Sequence, residues 1–297
     1  MNPSVEELPV EPVITSERQR ERLEEEARLP SVIVQRHAEA RRDPDDILSF
    51  AIEEGLAQVR RSSLSLTLSA VGAGMIVGFS AMVVGVVSTM VGSGELAVPL
   101  RLAQATVYPL GFVMCVVSGT ELFTEHTATS LYPVLDRRSS LAELARVWGL
   151  VLLGNLVGAA ISALLLMAAE PVVGAAEGYA VVGHHVVSPS ASGLFVSAML
   201  AGWLMAMGGW LVLATPPGVA EVVSIFVVTF LIGMGGLHHS IAGTVEALVA
   251  WLATDAVTLP EVLRFTGIAA VGNLVGGSVF VALLNYGHLR THGQRGA

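Results

Sequence analysis

Two adjacent histidines, His238 and His239, lie in a stretch from Val222 to Val245 that is otherwise apolar or small, with glycines at 233, 235, 236 and 243 around them. An ionisable pair is expensive to bury at bilayer depth, and such residues face a cavity, a partner or a solute path. The glycines predict a helix interrupted where the pair lies. A second interruption falls at residues 119–130, GTELFTEHTATS, where Glu121, Glu125 and His126 break an apolar run. Broken backbone at that depth is tolerated only when it is buried in protein or lines a cavity. Thr124 is placed to hydrogen-bond a solute or the freed backbone. Leu122 and Phe123 either form an apolar constriction that stops hydrated ions or only pack the core; spacing alone leaves both readings open. A metal held by the histidine pair with Glu125 and His126 lacks any HExxH or Cys/His pattern. No metal and no cofactor are expected. Catalysis is not expected either, since no Ser, Cys or Asp has a visible base partner.

These residues need a scaffold, and composition says which. The 297 residues are 53% hydrophobic and 14% charged, with a mean hydropathy of +0.67, values of a polytopic membrane protein. The net charge is −9, but most acidic residues precede Leu56 and describe an extension rather than the membrane body. No lysine occurs, and no basic stripe with interleaved aromatics marks a nucleic-acid partner. Cys115 is the lone cysteine, so no intrachain disulfide forms, and it reads as a small buried hydrophobe.

Residues 1–61 form an N-terminal extension rich in Glu and Arg rather than a signal peptide. Its first 15 residues are Pro- and Glu-rich and predicted disordered, and residues 16–29 predict a charged helix. A second, amphipathic helix is expected over about Pro44 to Arg61, with Ile47, Leu48, Ala51, Leu56 and Val59 in one stripe. That helix either lies against the membrane body or a neighbouring subunit, or is solvated. Residues 62–289 form a transmembrane domain and residues 290–297 a tail.

Six apolar blocks fill the transmembrane domain, at roughly 64–90, 103–135, 147–169, 190–215, 222–254 and 265–287. Each reaches the length of about 20 residues that a helix needs to span the hydrocarbon core; the second and fifth are interrupted. Fourteen of the 16 arginines fall on one side of the resulting topology, with Arg101 and Arg264 on the other. That asymmetry predicts both termini in the cytoplasm of a bacterial-type inner membrane. GNLVG recurs at 154–158 and 272–276, so blocks one to three and four to six read as two copies of a three-helix unit. Three spans is an odd number, so the copies enter the bilayer in opposite senses and their broken helices meet near the midplane. Gly74–Gly78, Gly154–Gly158 and Gly272–Gly276 let helix backbones approach closely, within the chain or between subunits. The fold expected is all-α: a polytopic membrane protein of six transmembrane helices in two inverted three-helix repeats.

LFTEH at 122–126, HHSIAG at 238–243, the GN–G elements of the third and sixth spans and ARVW at 145–148 together resemble the formate/nitrite transporter family over residues 60–290. The resemblance implies an aquaporin-like protomer with broken second and fifth helices, a homopentamer with one pore per subunit, and passage of small monovalent weak-acid anions with protons across a lipid bilayer. It implies that His239 is the central pore histidine and that Thr124 faces it. It makes Leu122 and Phe123 constriction residues, Tyr108 and Phe112 bulky pore residues, and Ile232 the occupant of a position that is an aromatic gate in some members. Arg146 stands where the family has a lysine, near the second break. The chain departs from the pattern at His238, where Glu is usual, at Glu125 and His126, where a small residue and Asn are usual, and at Gly243, where Asn is usual. These departures predict a swapped partnership in which Glu125 hydrogen-bonds His238 or His239. The long extension resembles a less-characterised branch.

A bare anion entering a dry constriction loses hydration worth many kcal/mol, whereas its neutral acid crosses easily. The expected mechanism therefore draws the anion toward His239, protonates it there from the ring or from adjacent water, and passes it as the neutral acid with Thr124 orienting it. The competing expectation is a channel for a small neutral or cationic solute selected by Glu125.

Overall fold

The computed structural model describes residues 43–94 and 99–293, with side chains as far as Leu289. The disorder and charged helix expected over residues 1–29, and the side chains of the tail, lie outside the described residues. All regular structure among those described is helical.

Helix α1 (Pro44–Arg60) starts on a proline whose missing amide would have had no partner there, with Asp45 and Asp46 in its first turn. The predicted stripe is buried, Ile52 with it. It packs on Ala128, Tyr132, Ala206, Val281 and Ala282 of the same chain, so α1 belongs to the body of the protomer and not to a solvated arm. The chain comes close enough at Gly55 that a β-carbon there would lie 2.8 Å from Pro133 Cδ.

The membrane body follows. Ser62 caps α2 (Ser63–Gly92), whose 30 residues give about 45 Å of helix. Next come α3 (Leu100–Val107) and α4 (Pro109–Val117), which together form one 18-residue crossing. Pro109 disturbs the backbone ladder at their junction, and Ser80 of α2 repairs it: its hydroxyl donates to Tyr108 O at 2.6 Å and accepts from Gly111 N at 3.0 Å. The chain then breaks through Gly119 (φ 66°) into the short helices α5 (Phe123–Thr129) and α6 (Tyr132–Leu135). Helix α7 (Leu141–Ala168) begins on a Ser140–Glu143 capping box.

The second half repeats the plan. After a single turn, α8 (Glu170–Val173), the helices are α9 (Ala176–Val187), α10 (Ala191–Ala214), α11 (Val219–Gly235), α12 (Ser240–Ala253) and α13 (Leu259–Gly277). The last continues through a π-turn at Ser278–Leu283 into α14 (Leu284–Gly293). Helices α11 and α12 are one interrupted crossing, bent by 51° at a left-handed Gly236 (φ 60°). Counting that pair as one, six helical crossings among the described residues are long and apolar enough for a bilayer.

Glycine pairs clamp each half internally. Gly154 and Gly158 of α7 lie on the backbone of α2, and Gly272 and Gly276 of α13 lie on that of α10. Gly74 and Gly202 answer from the facing helices, against Asn155 and Asn273. These contacts are within one chain. The pseudosymmetry extends beyond the spans: α1 packs on α5 and α10, as α9 packs on α12 and α2. Cys115 is buried, with its sulfur 3.2 Å from Thr120 Oγ1.

Candidate functional site

Each break is held by one asparagine. Asn155 Oδ1 accepts from Phe123 N at 2.8 Å, and its Nδ2 donates to Ala70 O and Glu121 O, both at 2.8 Å. Asn273 does the same in the other half: Oδ1 accepts from Ser240 N at 2.7 Å, and Nδ2 donates to Ala198 O at 2.7 Å and His238 O at 3.0 Å. The amide and carbonyl freed by each break are thus satisfied inside the protein, as the absence of water at that depth demands. Glu121 therefore corresponds to His238, Phe123 to Ser240, and the residues between them, Leu122 and His239, occupy equivalent places. The GN–G repeat announced these asparagines; reading it only for its glycines misses them.

His239 is the N-cap of α12, extended at φ −90° and ψ 127°. Its Nδ1 accepts from the amides of Ile241 and Ala242, both at 3.2 Å. An atom that accepts two N–H groups carries no hydrogen, so the neutral ring is assigned its hydrogen on Nε2. Nε2 lies 2.5 Å from Thr124 Oγ1, which accepts. The ring is 1% exposed and meets Phe112 edge-on at 4.9 Å, and Phe112 lies 5.0 Å from the Tyr108 ring. Leu122, Phe112, Tyr108 and Ile232 share one buried cluster with Ile241, Val245 and Val228.

Other predicted residues fall elsewhere. Phe123 packs with Val59, Leu66, Val147 and Val151 toward α2 and α7, the place its packing alternative gave it. His238 points away from Thr124: Nδ1 lies 2.7 Å from Ser197 Oγ, and its ring stacks on His185 at 5.8 Å. The extended backbone at the junction sends consecutive side chains to opposite sides, so only one of the pair can reach Thr124. The expected hydrogen bond between Glu125 and a histidine is not formed. Glu125 follows Thr124 on a helix, about 100° further round, and its Oε2 is buried without a partner. His126 binds Gln58 Nε2 through Nδ1 at 2.5 Å and lies 3.4 Å from Glu121 Oε2. Arg146 grips the end of α1, donating to Val59 O at 2.5 Å and Arg61 O at 3.4 Å, rather than standing at the second break.

Two cavities approach the pair. One, of about 290 Å³, is lined by Tyr108, Ile232, Arg101, Gln104, His185 and Glu246 among others. The second, of about 280 Å³ and opening at the α1 end, is lined by Glu54, Arg61, Glu121, Glu125, His126 and Glu221 among others. His239, Thr124, Phe112 and Leu122 are in the wall of neither and are all buried, forming a mainly apolar layer with one imidazole and one hydroxyl outside both cavities. Glu246 escaped the sequence reading because a single carboxylate late in a helix carries no motif. Gln58 escaped it too, although its Nε2 also donates to Glu121 Oε2 at 2.7 Å and its Oε1 accepts from Ser130 at 2.6 Å. Gln58 ties α1 to the first break.

The sequence model of the formate/nitrite transporter family matches residues 45–287. The chain belongs to that family. Family members are transporters and channels, not enzymes. Among its relatives is the inner membrane protein YfdC of Escherichia coli (strain K12), 28% identical over 270 residues that cover 90% of this chain and 82% of YfdC. Solved structures share the fold. One described as an FNT family ion channel superposes with a TM-score of 0.73 at 22% identity, covering 82% of this chain and 99% of its own. A pentameric formate channel with formate bound gives 0.64 at 20% identity, covering 77% and 98%. A formate/nitrite transporter fold thus positions the His239–Thr124 pair.

Proposed function

We propose that this family member carries small monovalent weak-acid anions of the formate or nitrite type, each with a proton, across the central layer as the neutral acid. The observation that supports this best is the hydrogen assignment at His239. Nδ1 is committed to two amides of α12, so Nε2–H is the group left to meet a solute. An anion in either cavity is drawn by that donor and by the positive end of α12. It takes its proton from water at the mouth of the layer, because a proton on Nδ1 would point at two N–H groups. Thr124 orients the neutral acid as it passes Leu122 and Phe112, while Tyr108 and Ile232 flank the route from the larger cavity.

Relatives support the setting. YfdC's description supports an inner-membrane location, and the arginine asymmetry supports cytoplasmic termini. The pentameric formate channel supports a homopentamer with one pore per subunit, the outward apolar side chains meeting lipid or the next protomer. Proteoliposomes test the reading: formate or nitrite uptake should consume external protons one for one and carry no current. Uptake driven by voltage without a pH change would refute it. Glu125 in the α1-end cavity favours a second reading, passage of a neutral or cationic solute. Uptake of ammonium or guanidinium that ignores pH would establish that one instead.

A further inference from the structure

The cavity at the α1 end has a charge balance that an anion path does not call for. Four carboxylates line it, from four separate places: Glu54 on α1, Glu121 in the first break, Glu125 on α5 and Glu221 in the first turn of α11. Arg61 is the guanidinium in the wall, with the imidazole of His126 beside Glu121. Arg61 is already ion-paired to Glu121, and that same carboxylate also takes Gln58 and lies near His126. Neutralising Glu121 in this way leaves Glu54, Glu125 and Glu221 in excess.

Glu125 is the telling member. The residue is 8% exposed, lines the cavity, and has an Oε2 with no hydrogen-bond partner among the described residues. A buried acceptor left unsatisfied costs more than a formed bond returns, a cost that an N–H donor of a bound ligand would remove. Gly209 stands against it: a β-carbon there would sit 3.4 Å from Glu125 Cγ. The lining also includes the apolar side chains of Val116, Val212 and Leu213. No group of three or more carboxylate, histidine or cysteine side chains among the described residues converges as a metal would need. Carboxylates that do not converge, around about 280 Å³ lined also by apolar side chains, suit a ligand with dispersed N–H donors and weakly hydrated faces.

From this geometry we infer that the α1-end cavity is a binding site for a small organic cation of the amine or guanidinium type, anchored on Glu125 and steered by Glu54 and Glu221. The inference goes beyond the transport reading, since it concerns equilibrium occupancy of the cavity and not passage through the central layer.

Titration calorimetry on the full-length protein in nanodiscs, with guanidinium and methylammonium chlorides at low ionic strength, tests it. Saturable binding is expected. Loss of one charge-assisted bond in Glu125→Gln should weaken it at least about tenfold. Glu221→Gln, at a less buried position where folding is not at stake, should weaken it several-fold, and Glu246→Gln in the other cavity should leave it unchanged. Three results would overturn the site: no saturable heat with wild type, wild-type binding by both Glu125→Gln and Glu221→Gln, or displacement by sodium at equal concentration. Failure of proton-coupled formate flux alongside saturable guanidinium binding would sink only the transport reading.

Discussion

His239 has two jobs in this structure, and one substitution separates them. As N-cap of α12 its Nδ1 holds two amides; in the proposed pore role its Nε2, which faces Thr124, is the group that meets the solute. Asparagine is among the best N-caps, and its Oδ1 occupies the position of Nδ1, but the side chain ends before Nε2. His239→Asn should therefore fold like wild type and lose the donor. One missing hydrogen bond to the solute, with Thr124 left unpaired at the narrowest point, is worth about 1.5–3 kcal/mol, or about ten- to a hundredfold in flux. His239→Ala should lose the same flux and also the cap, about 1 kcal/mol and about 2–4 °C in melting temperature. Stopped-flow formate uptake into proteoliposomes and thermal melts of the same preparations measure both. The wild-type pH profile belongs to the same argument. Falling pH raises the neutral-acid fraction, so at fixed anion concentration flux should climb about tenfold per unit. It should show no inflection near the ordinary histidine value of about 6.5. Wild-type flux in His239→Asn, an Ala variant as stable as the Asn variant, or an inflection near 6.5 that His239→Asn abolishes would each refute the reasoning.

Asn273→Leu should cost about 2–4 kcal/mol, because it orphans Ser240 N and His238 O inside the protein; Asn155→Leu should cost a similar amount, and thermal melts in nanodiscs read both. Gly276→Ala should prevent the protomer from folding, since its β-carbon would meet the Met199 carbonyl and lie 2.7 Å from Trp203 N, both backbone atoms of α10. Gly287→Ala, whose added β-carbon would meet no described atom within 4 Å beyond its own turn, should run as wild type on size exclusion.

What could be read ahead of the structure was what leaves a periodic or compositional trace. Six crossings, two breaks and paired glycines each have one, because span length, glycine and a fixed repeat interval are tied directly to backbone geometry. The α1 stripe was equally plain, though not that its partner is the same protomer. Facing was harder at the breaks. Leu122, Phe123 and Thr124 cross from extended to helical backbone within three residues, where neither a period of 2 nor one of 3.6 says which side chain points inward. Hence periodicity alone does not tell Phe123 from Leu122, nor His238 from His239, which the family resemblance singles out, and the expected bond from Glu125 to either histidine is not formed. Gln58 and the two asparagines are uncharged, and their value lies in bonds to backbone groups far away in sequence.

The asparagine pins explain why such different chemistry can sit at the two breaks. Within each break the pins bond the backbone of the residues before and after the central position, Glu121 O and Phe123 N in one half, His238 O and Ser240 N in the other. The pins themselves make no bond to the side chain between them, so it can differ between the two copies. One copy fills that place with Leu122, which keeps the layer dry, and the other fills it with His239, which puts a single N–H into it. An inverted repeat built this way delivers a barrier and a donor to the same depth from opposite directions. Either can change without disturbing the fold that holds the other.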